Sequence, residues 1–201
     1  MHAPGAPRSH PDDLMLLLYS VGALGPAFRS AVAEHAAGCA RCGALLRDGE
    51  AVGGALLADE AVAPLAAGAL DSVLARLDDP APPSINLSDL LALRPWPVAP
   101  GVRHVRLLAD RDESLHLFRV RPGGKLPDHD HGGDELTCVL EGAFEDATGV
   151  YEAGDAVPMR PGRPHEPRAI GQRDCVCLLA VSGHLRFSTP IARLVQRVLG
   201  L

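Results

Sequence analysis

The sequence predicts two domains, an N-terminal all-α helical bundle and a C-terminal all-β domain. The first eighty or so residues are rich in Ala and Leu with helical periodicity, whereas short β-branched or alternating runs dominate the rest. A length of 201 residues accommodates two small domains. We expect a helical domain over residues 1–79, a linker over 80–95 and a β domain with a short C-terminal helix over 96–201.

Four helices are expected in the first domain. The first begins after Pro11, where two aspartates favour a helix start, and stops at the glycines 22 and 25. Pro26 opens the second helix, and a third extends from about residue 39 to 57. A fourth, over 64–77, carries an apolar stripe that is wide enough to require a partner surface.

The chain changes character after the fourth helix. The sequence DDPAPPS at 78–84 favours an extended, semi-rigid connector. Strands are then predicted near 104–108, 115–120, 136–140 and 175–181. Residues 190–201 have helical spacing again and predict a short terminal helix.

A cluster of potential metal ligands lies between the second and third helices. His35, Cys39 and Cys42 form H-x3-C-x2-C, and on a helix these positions share one face. Thiolates and imidazoles at this density suit Zn²⁺ in a closed, structural site with four ligands. His10, at the start of the first helix, is the best candidate for the fourth ligand. The alternatives are two buried cysteines or a redox pair. A redox C-x-x-C motif normally occurs in a βαβ unit, which this segment lacks.

A second cluster lies in the β domain. Residues 123–142 read G-x5-H-x-H-x3-E-x6-G, in which His129, His131 and Glu135 share the same parity and can face the same side of extended chain. His165 lies further along the chain, at the position where a second motif would supply a further ligand. Three imidazoles and one carboxylate make a site for Zn, Mn, Fe or Ni, since ligand types restrict the metal without selecting it. The alternatives are histidines merely buried in a β core and a site that no longer holds metal.

This second pattern resembles the cupin family. The first cupin motif is complete, and the second is represented by Gly154, Gly162 and His165, with its proline one place late at Pro161 and Ala169 replacing the usual Asn. The departures lie outside the ligand set. The resemblance implies a cupin barrel of the jelly-roll type with the four ligands directed into it.

The remaining cysteines and histidines have simpler interpretations. Cys175 and Cys177 share a strand face and are expected to be buried small hydrophobes, with an oxidation-sensitive pair as the alternative. We expect His104, His116 and His184 to be ordinary surface or strand histidines.

Charge and hydropathy exclude several classes of function. The net charge is −6, and residues 1–80 contain ten acidic residues, five arginines and no lysine, so a DNA-binding zinc protein is excluded. The acidic surface is either simply solvated or a docking face for a basic partner. No apolar run reaches the roughly 20 residues that span a bilayer, and no secretory signal is evident, so we expect no membrane association and a cytoplasmic protein.

The helical domain resembles the zinc-binding anti-sigma domain that sequesters group IV, or extracytoplasmic-function, sigma factors. The resemblance rests on H-x3-C-x2-C, an upstream His at the start of the first helix, and a fourth helix that would reach across the sigma factor. Followed by a cupin, this domain is similar to the ChrR-type zinc-binding anti-sigma factors.

This resemblance implies an anti-sigma factor, a transcription regulator whose helical domain inhibits the sigma factor. The cupin would sense singlet oxygen or organic peroxide and trigger release. It implies Zn²⁺ in both domains, with no catalytic residues and no organic cofactor. The alternative is a metal-dependent, dioxygenase-like cupin enzyme with an accessory zinc domain.

Overall fold

The computed structural model describes residues 6–77, 87–110, 112–183 and 185–187. Within these ranges five helices come first: α1 (Asp13–Ser20), α2 (Pro26–Gly38), α3 (Ala40–Asp59), α4 (Ala69–Ala75) and α5 (Leu87–Ala92). We call residues 6–77 the helical region. The predicted connector at 78–84, the terminal helix at 190–201 and His184 lie outside the described residues.

Local chemistry sets the ends of the first helices. The Asp12 carboxylate caps α1 by accepting a hydrogen bond from the Met15 amide at 2.8 Å. Gly22 adopts a left-handed conformation, with φ of 70°, and terminates that helix. Pro26 occupies the first turn of α2, where a missing N–H costs nothing.

The fourth helix is shorter than predicted and lies on the surface. It spans Ala69–Ala75 rather than 64–77, because residues 61–66 are irregular and the left-handed Gly68 precedes the first turn. None of its residues is buried. The apolar stripe therefore remains without a partner within the described residues.

Eleven strands follow in the described part of the chain, and we call residues 96–187 the β region. Their bounds are β1 (Trp96–Ala99), β2 (Val102–Ala109), β3 (Glu113–Val120), β4 (His129–His131), β5 (Glu135–Glu141), β6 (Ala143–Asp146), β7 (Gly149–Glu152), β8 (Ala156–Met159), β9 (Arg168–Ile170), β10 (Cys175–Ser182) and β11 (Leu185–Phe187).

These strands form three sheets. A six-stranded sheet has the order β1-β2-β3-β10-β5-β8, a three-stranded sheet has the order β7-β6-β9, and β11 pairs with β4. The predicted barrel is not closed over the described residues, because only isolated bridges such as His129 to His165 connect the segments between sheets. Proline interrupts these segments and cannot donate to a ladder. The prolines concerned are Pro122, Pro127, Pro161, Pro164 and Pro167.

Both faces of the six-stranded sheet are buried. One face packs against α2 through side chains such as Leu117, Leu136 and Leu178. The other face contributes Phe118 and Leu179 to a second apolar cluster that includes Phe144 of the three-stranded sheet. The central strands consequently have near-continuous apolar sequences instead of strict alternation.

Helix α5 lies within the segment predicted as a linker, and it packs onto this core. Leu90 is only 1% exposed and belongs to the apolar cluster shared by the helical region and the six-stranded sheet. Arg119 of β3 donates a hydrogen bond to the Leu91 carbonyl at 3.0 Å.

No helix in the described ranges is long and apolar enough to cross a bilayer.

Two histidines expected to be ordinary surface or strand residues are buried in the strands. His104 Nε2 lies 2.9 Å from His116 Nδ1, and His116 Nε2 lies 2.7 Å from Ser114 Oγ. Burial lowers the pKa of His104 to about 4 and that of His116 to about 3. The alternation of residues along a strand does not distinguish exposed histidines from buried ones that hydrogen-bond to each other.

Candidate metal centres

The four predicted ligands of the helical region converge on one point. His10 precedes α1, His35 lies in the last turn of α2, and Cys42 lies in the first turn of α3. The expectation that the H-x3-C-x2-C residues share one helical face is wrong. Cys39 has extended backbone angles between α2 and α3, so the chain bends there and directs both thiols towards the histidines.

The spacing of these atoms fits a tetrahedral ion. His10 Nδ1 lies 3.3 Å from His35 Nε2 and 3.5 Å from the Sγ atoms of Cys39 and Cys42. Tetrahedral zinc with ordinary bond lengths places two nitrogens roughly 3.3 Å apart and a sulfur and a nitrogen roughly 3.6 Å apart. All four ligand atoms lie within 4.8 Å of one another, and the three residues other than His10 are buried.

In the metal-free cluster the imidazoles are ready to bind a metal ion, whereas the Cys42 thiol must first lose its proton. Burial lowers the pKa values of His10 and His35, so both imidazoles are neutral and can offer a lone pair. The pKa of Cys42 is raised to about 11 by burial and by the neighbouring Cys39. A bound metal ion would displace the thiol proton, and its positive charge would stabilise the thiolate that remains.

The second predicted set also converges. His129 and His131 lie on β4, Glu135 begins β5, and His165 lies in the loop that precedes β9. The Nε2 atom of His165 lies 3.2 Å from that of His129 and 3.2 Å from that of His131. Glu135 Oε1 lies 4.0 Å from the same His165 nitrogen.

Hydrogen bonds outside this second cluster fix the tautomers of two ligands. His129 Nδ1 lies 2.8 Å from the Pro127 carbonyl oxygen, which can only accept, so this nitrogen carries the proton. His165 Nδ1 lies 3.1 Å from Asp146 Oδ2 and donates to that carboxylate in the same way. The Nε2 lone pairs of the two rings therefore face each other, an arrangement that a cation between them stabilises.

The acid–base state of the cluster also favours a bound cation. Burial lowers the pKa of His129 and of His131 to about 4, so neither ring supplies a proton at neutral pH. Burial raises the pKa of Glu135 to about 8. His131 Nδ1 and Glu135 Oε2 are both buried and lie 3.4 Å apart, and neither makes a hydrogen bond. The donor set fits a metal ion that is bound by nitrogen and oxygen.

A small cavity lies beside these ligands. Its volume is about 40 Å³, more than the roughly 10–15 Å³ that one water molecule needs. The lining is mostly apolar and includes Phe118, Leu179 and Phe144 together with the ligands His129, Glu135 and His165. This chamber can admit a small apolar molecule to the ligands.

The remaining cysteines lie in the core of the β region. Cys175 Sγ and Cys177 Sγ are 3.4 Å apart, and both residues line the cavity. Cys138 is on the opposite face of the sheet, where its thiol donates to the Ala31 carbonyl at 3.4 Å. Cys175 is buried, as expected, whereas Cys177 is only partly buried; Cys138 is buried as well.

Three residues around the two centres were not predicted. Asp146 orients His165, while Gly154 and Asp155 contact the helical region. Only Gly154 carried any signal, as a member of the second cupin motif. The two aspartates lie far along the chain from the ligands that they affect, so spacing could not reveal them.

Comparisons with known proteins agree with this architecture. A family model described as the ChrR cupin-like domain matches residues 88–185. The anti-sigma-E factor ChrR of Cereibacter sphaeroides is 36% identical over 206 residues, covering 94% of this chain and 96% of that protein. The crystal structure of Rhodobacter sphaeroides SigE in complex with the anti-sigma ChrR has a TM-score of 0.75 at 37% identity, covering 87% of this chain and 98% of that chain. The resemblance inferred from the motifs is thus confirmed, and the chain belongs to the ChrR family of anti-sigma factors.

Proposed function

We propose that this chain is an anti-sigma factor that binds and inhibits an extracytoplasmic-function sigma factor. The relative of known structure is seen in complex with SigE, and it matches this chain across both regions. In this proposal residues 1–79 are the inhibitory unit, and the cupin unit at 96–201 responds to the signal. The chain acts as a regulator and not as an enzyme.

The observation that carries this proposal is a set of exposed apolar side chains on three helices, each at least 48% exposed. Within each helix, pairs that are three or four positions apart share a face: Leu14 with Leu17, Val52 with Leu56, and Leu70 with both Val73 and Leu74. Exposed apolar side chains grouped on helix faces are typical of protein-binding sites. The set comprises Leu14 and Leu17 on α1, Val52, Leu56 and Leu57 on α3, and Leu70, Val73 and Leu74 on α4.

Charge supports a protein partner in place of nucleic acid. The acidic residues of the first 80 positions outnumber the arginines two to one, so phosphate binding is disfavoured. An acidic surface favours the approach of a basic protein surface, and complementary charge raises association rates. A sigma factor with a basic face would meet this requirement without any direct contact between this chain and DNA.

The two metal centres have different roles in this proposal. His10, His35, Cys39 and Cys42 would hold a structural Zn²⁺ that keeps the inhibitory helices in place. His129, His131, Glu135 and His165 would hold Zn²⁺, or Mn²⁺, Fe²⁺ or Ni²⁺, as the sensing centre. The bound metal would supply Lewis acidity there, while Asp146 holds His165 in the correct tautomer.

We further propose that singlet oxygen or an organic peroxide acts at this second centre and promotes release of the sigma factor. The apolar cavity beside the ligands supports access by a small, uncharged oxidant. Release requires that the altered chain bind the sigma factor less tightly, and couplings of this kind are typically about 1–3 kcal/mol. Shared packing between the cupin strands and α2 offers a route for that change.

Co-purification with a sigma factor encoded nearby tests the inhibitory role. Leu56→Asp should weaken sigma binding at least 10-fold, because it places a charge within the proposed contact. Val150→Asp is the matched control, since Val150 is exposed on β7 and lies outside the proposed apolar set. Equal retention of the sigma factor by both variants would contradict the proposed surface. Chelation that empties the helical site should release the partner.

The sensing role is tested separately. His129→Ala combined with His131→Ala should leave sigma binding intact and abolish induction by singlet oxygen. A double variant that still induces normally would remove the second centre from the pathway.

A metal-dependent cupin enzyme is the second candidate, and the cavity beside the ligands is the observation that favours it. Among its described lining residues, the ionisable groups beyond the ligands are the two thiols of Cys175 and Cys177. A general acid or base suited to turnover is therefore lacking in that lining. Turnover of a small organic substrate by the iron-loaded protein would establish this alternative.

A further inference from the structure

The turn between β7 and β8 reaches out of the β region and contacts the helical region beside its metal ligands. We call Gly154 and Asp155 the contact turn. It touches both the segment before His10 and the ring of His35. These contacts join positions more than 110 residues apart in sequence.

Asp155 binds the backbone that leads into His10. Its Oδ1 atom accepts hydrogen bonds from the Arg8 amide at 2.6 Å and from the Ser9 amide at 2.9 Å. Its Oδ2 atom accepts from the Glu152 amide at 2.9 Å, and Asp155 is only 3% exposed. The next amide, of Ala156, donates to the Ser9 carbonyl at 3.0 Å. Four hydrogen bonds therefore fix residues 8 and 9 and the carboxylate that holds them.

Gly154 acts on the other histidine. Its carbonyl oxygen accepts a hydrogen bond from His35 Nδ1 at 2.9 Å, which leaves the His35 Nε2 lone pair directed at His10 and the thiols. The glycine has a φ of 100°, a conformation that side chains disfavour, and a Cβ atom there would lie 3.3 Å from Pro7 Cγ. The close approach thus depends on glycine.

We propose that the contact turn is the outer shell of the helical metal site, so that this site is completed by residues of the β region. Asp155 is a positioning residue for His10, and the Gly154 carbonyl selects the metal-binding tautomer of His35. Metal affinity at the thiolate site then depends on the cupin fold, and loss of the turn's contacts loosens the site. This inference rests on the proposed function only in assuming that the thiolate site binds metal.

Cobalt titration of the full-length protein tests this dependence at one site at a time. Co²⁺ bound by Cys39 and Cys42 has thiolate charge-transfer absorption, whereas the cupin centre has no thiolate ligand. Removing an outer-shell partner typically weakens metal binding 10–100-fold. We expect a loss in that range for Asp155→Ala and for Arg8→Pro, which deletes one of the two amide donors without changing the β region.

Matched controls separate the backbone contacts from the nearby ion pair. Glu152→Ala and Arg8→Ala both remove the exposed Arg8–Glu152 pair, whose atoms are 3.4 Å apart, and keep every amide donor. These two variants should bind Co²⁺ at the thiolate site as the wild type does. A weakening equal to that of Asp155→Ala and Arg8→Pro would overturn the assignment to the turn.

The outcomes distinguish the inference from its premise. No charge-transfer band in the wild type would mean that the thiolate cluster is not a metal site, and the premise fails. A wild-type band with Arg8→Pro and Asp155→Ala within twofold of wild-type affinity would overturn the inference alone. If Asp155→Ala does not fold, Arg8→Pro decides, because its β-region sequence is unchanged.

Discussion

The N-terminus of α2 depends on a carboxylate from the β region, and its removal should have a measurable cost. Gly25, at the N-cap position, has no side chain to satisfy the first amides of the helix. Glu113 Oε2 instead accepts hydrogen bonds from the Ala27 amide at 2.8 Å and the Phe28 amide at 3.3 Å. Glu113→Ala should therefore remove both the cap and a favourable charge at the positive end of the helix dipole.

The expected magnitude follows from these two losses. Loss of a cap costs about 1 kcal/mol, and a charge at a helix end contributes about 0.3–1 kcal/mol. Glu113→Ala should lower the free energy of unfolding by about 1–2 kcal/mol. Glu113→Gln keeps an acceptor oxygen and loses only the charge, so its cost should be about 0.3–1 kcal/mol.

Urea denaturation of the metal-saturated protein measures both variants. With a slope of about 2 kcal/mol/M, the Ala variant should shift the midpoint by about 0.5–1 M. Glu50→Ala, an exposed change within α3, is the control and should stay within about 0.5 kcal/mol of wild type. If Glu113→Ala matches that control, or if the Gln and Ala variants are equal, then the capping argument is wrong.

Three further predictions concern packing and pH. Leu117→Ala should cost about 2–5 kcal/mol of unfolding free energy by calorimetry, because Leu117 is fully buried between sheet and helices, whereas the exposed Leu57→Ala should cost little. Metal binding at the helical site should strengthen as pH rises and should release protons, measured by titration in weak buffer, because the Cys42 pKa of about 11 keeps the free thiol protonated. Metal affinity at the cupin centre should rise with pH up to about 8, because Glu135 loses its proton near that pH in the metal-free chain. A chelator competition assay measures this affinity, and Glu135→Gln should flatten the rise.

Local patterns predicted which side chains the fold brings together in the two clusters. H-x3-C-x2-C and the cupin motif mark residues that the fold brings within 4.8 Å of one another. His10 joins the first cluster because the start of α1 lies beside the end of α2. The motifs identified the residues of each cluster, although the shared helical face expected for His35, Cys39 and Cys42 was wrong.

Long-range geometry was less predictable. Barrel closure depends on ladders between distant segments, and isolated bridges such as Lys125 to Arg168 stand in their place. His104 and His116 become neighbours only because β2 pairs with β3. Their positions in the sequence resemble those of half-exposed strand residues, so the sequence does not reveal that they are buried. Contacts of Asp155 and Glu113 with the helical region cross more than 80 residues and leave no local pattern.

The order of the six-stranded sheet also bears on how the protein avoids self-association. Its two edge strands are β1 and β8, and each contains a proline, Pro97 and Pro158. A proline offers no N–H to an incoming strand, so neither edge is a complete template for pairing with another molecule. The prolines therefore disfavour edge-to-edge pairing of the main sheet in a chain whose helices carry exposed apolar side chains.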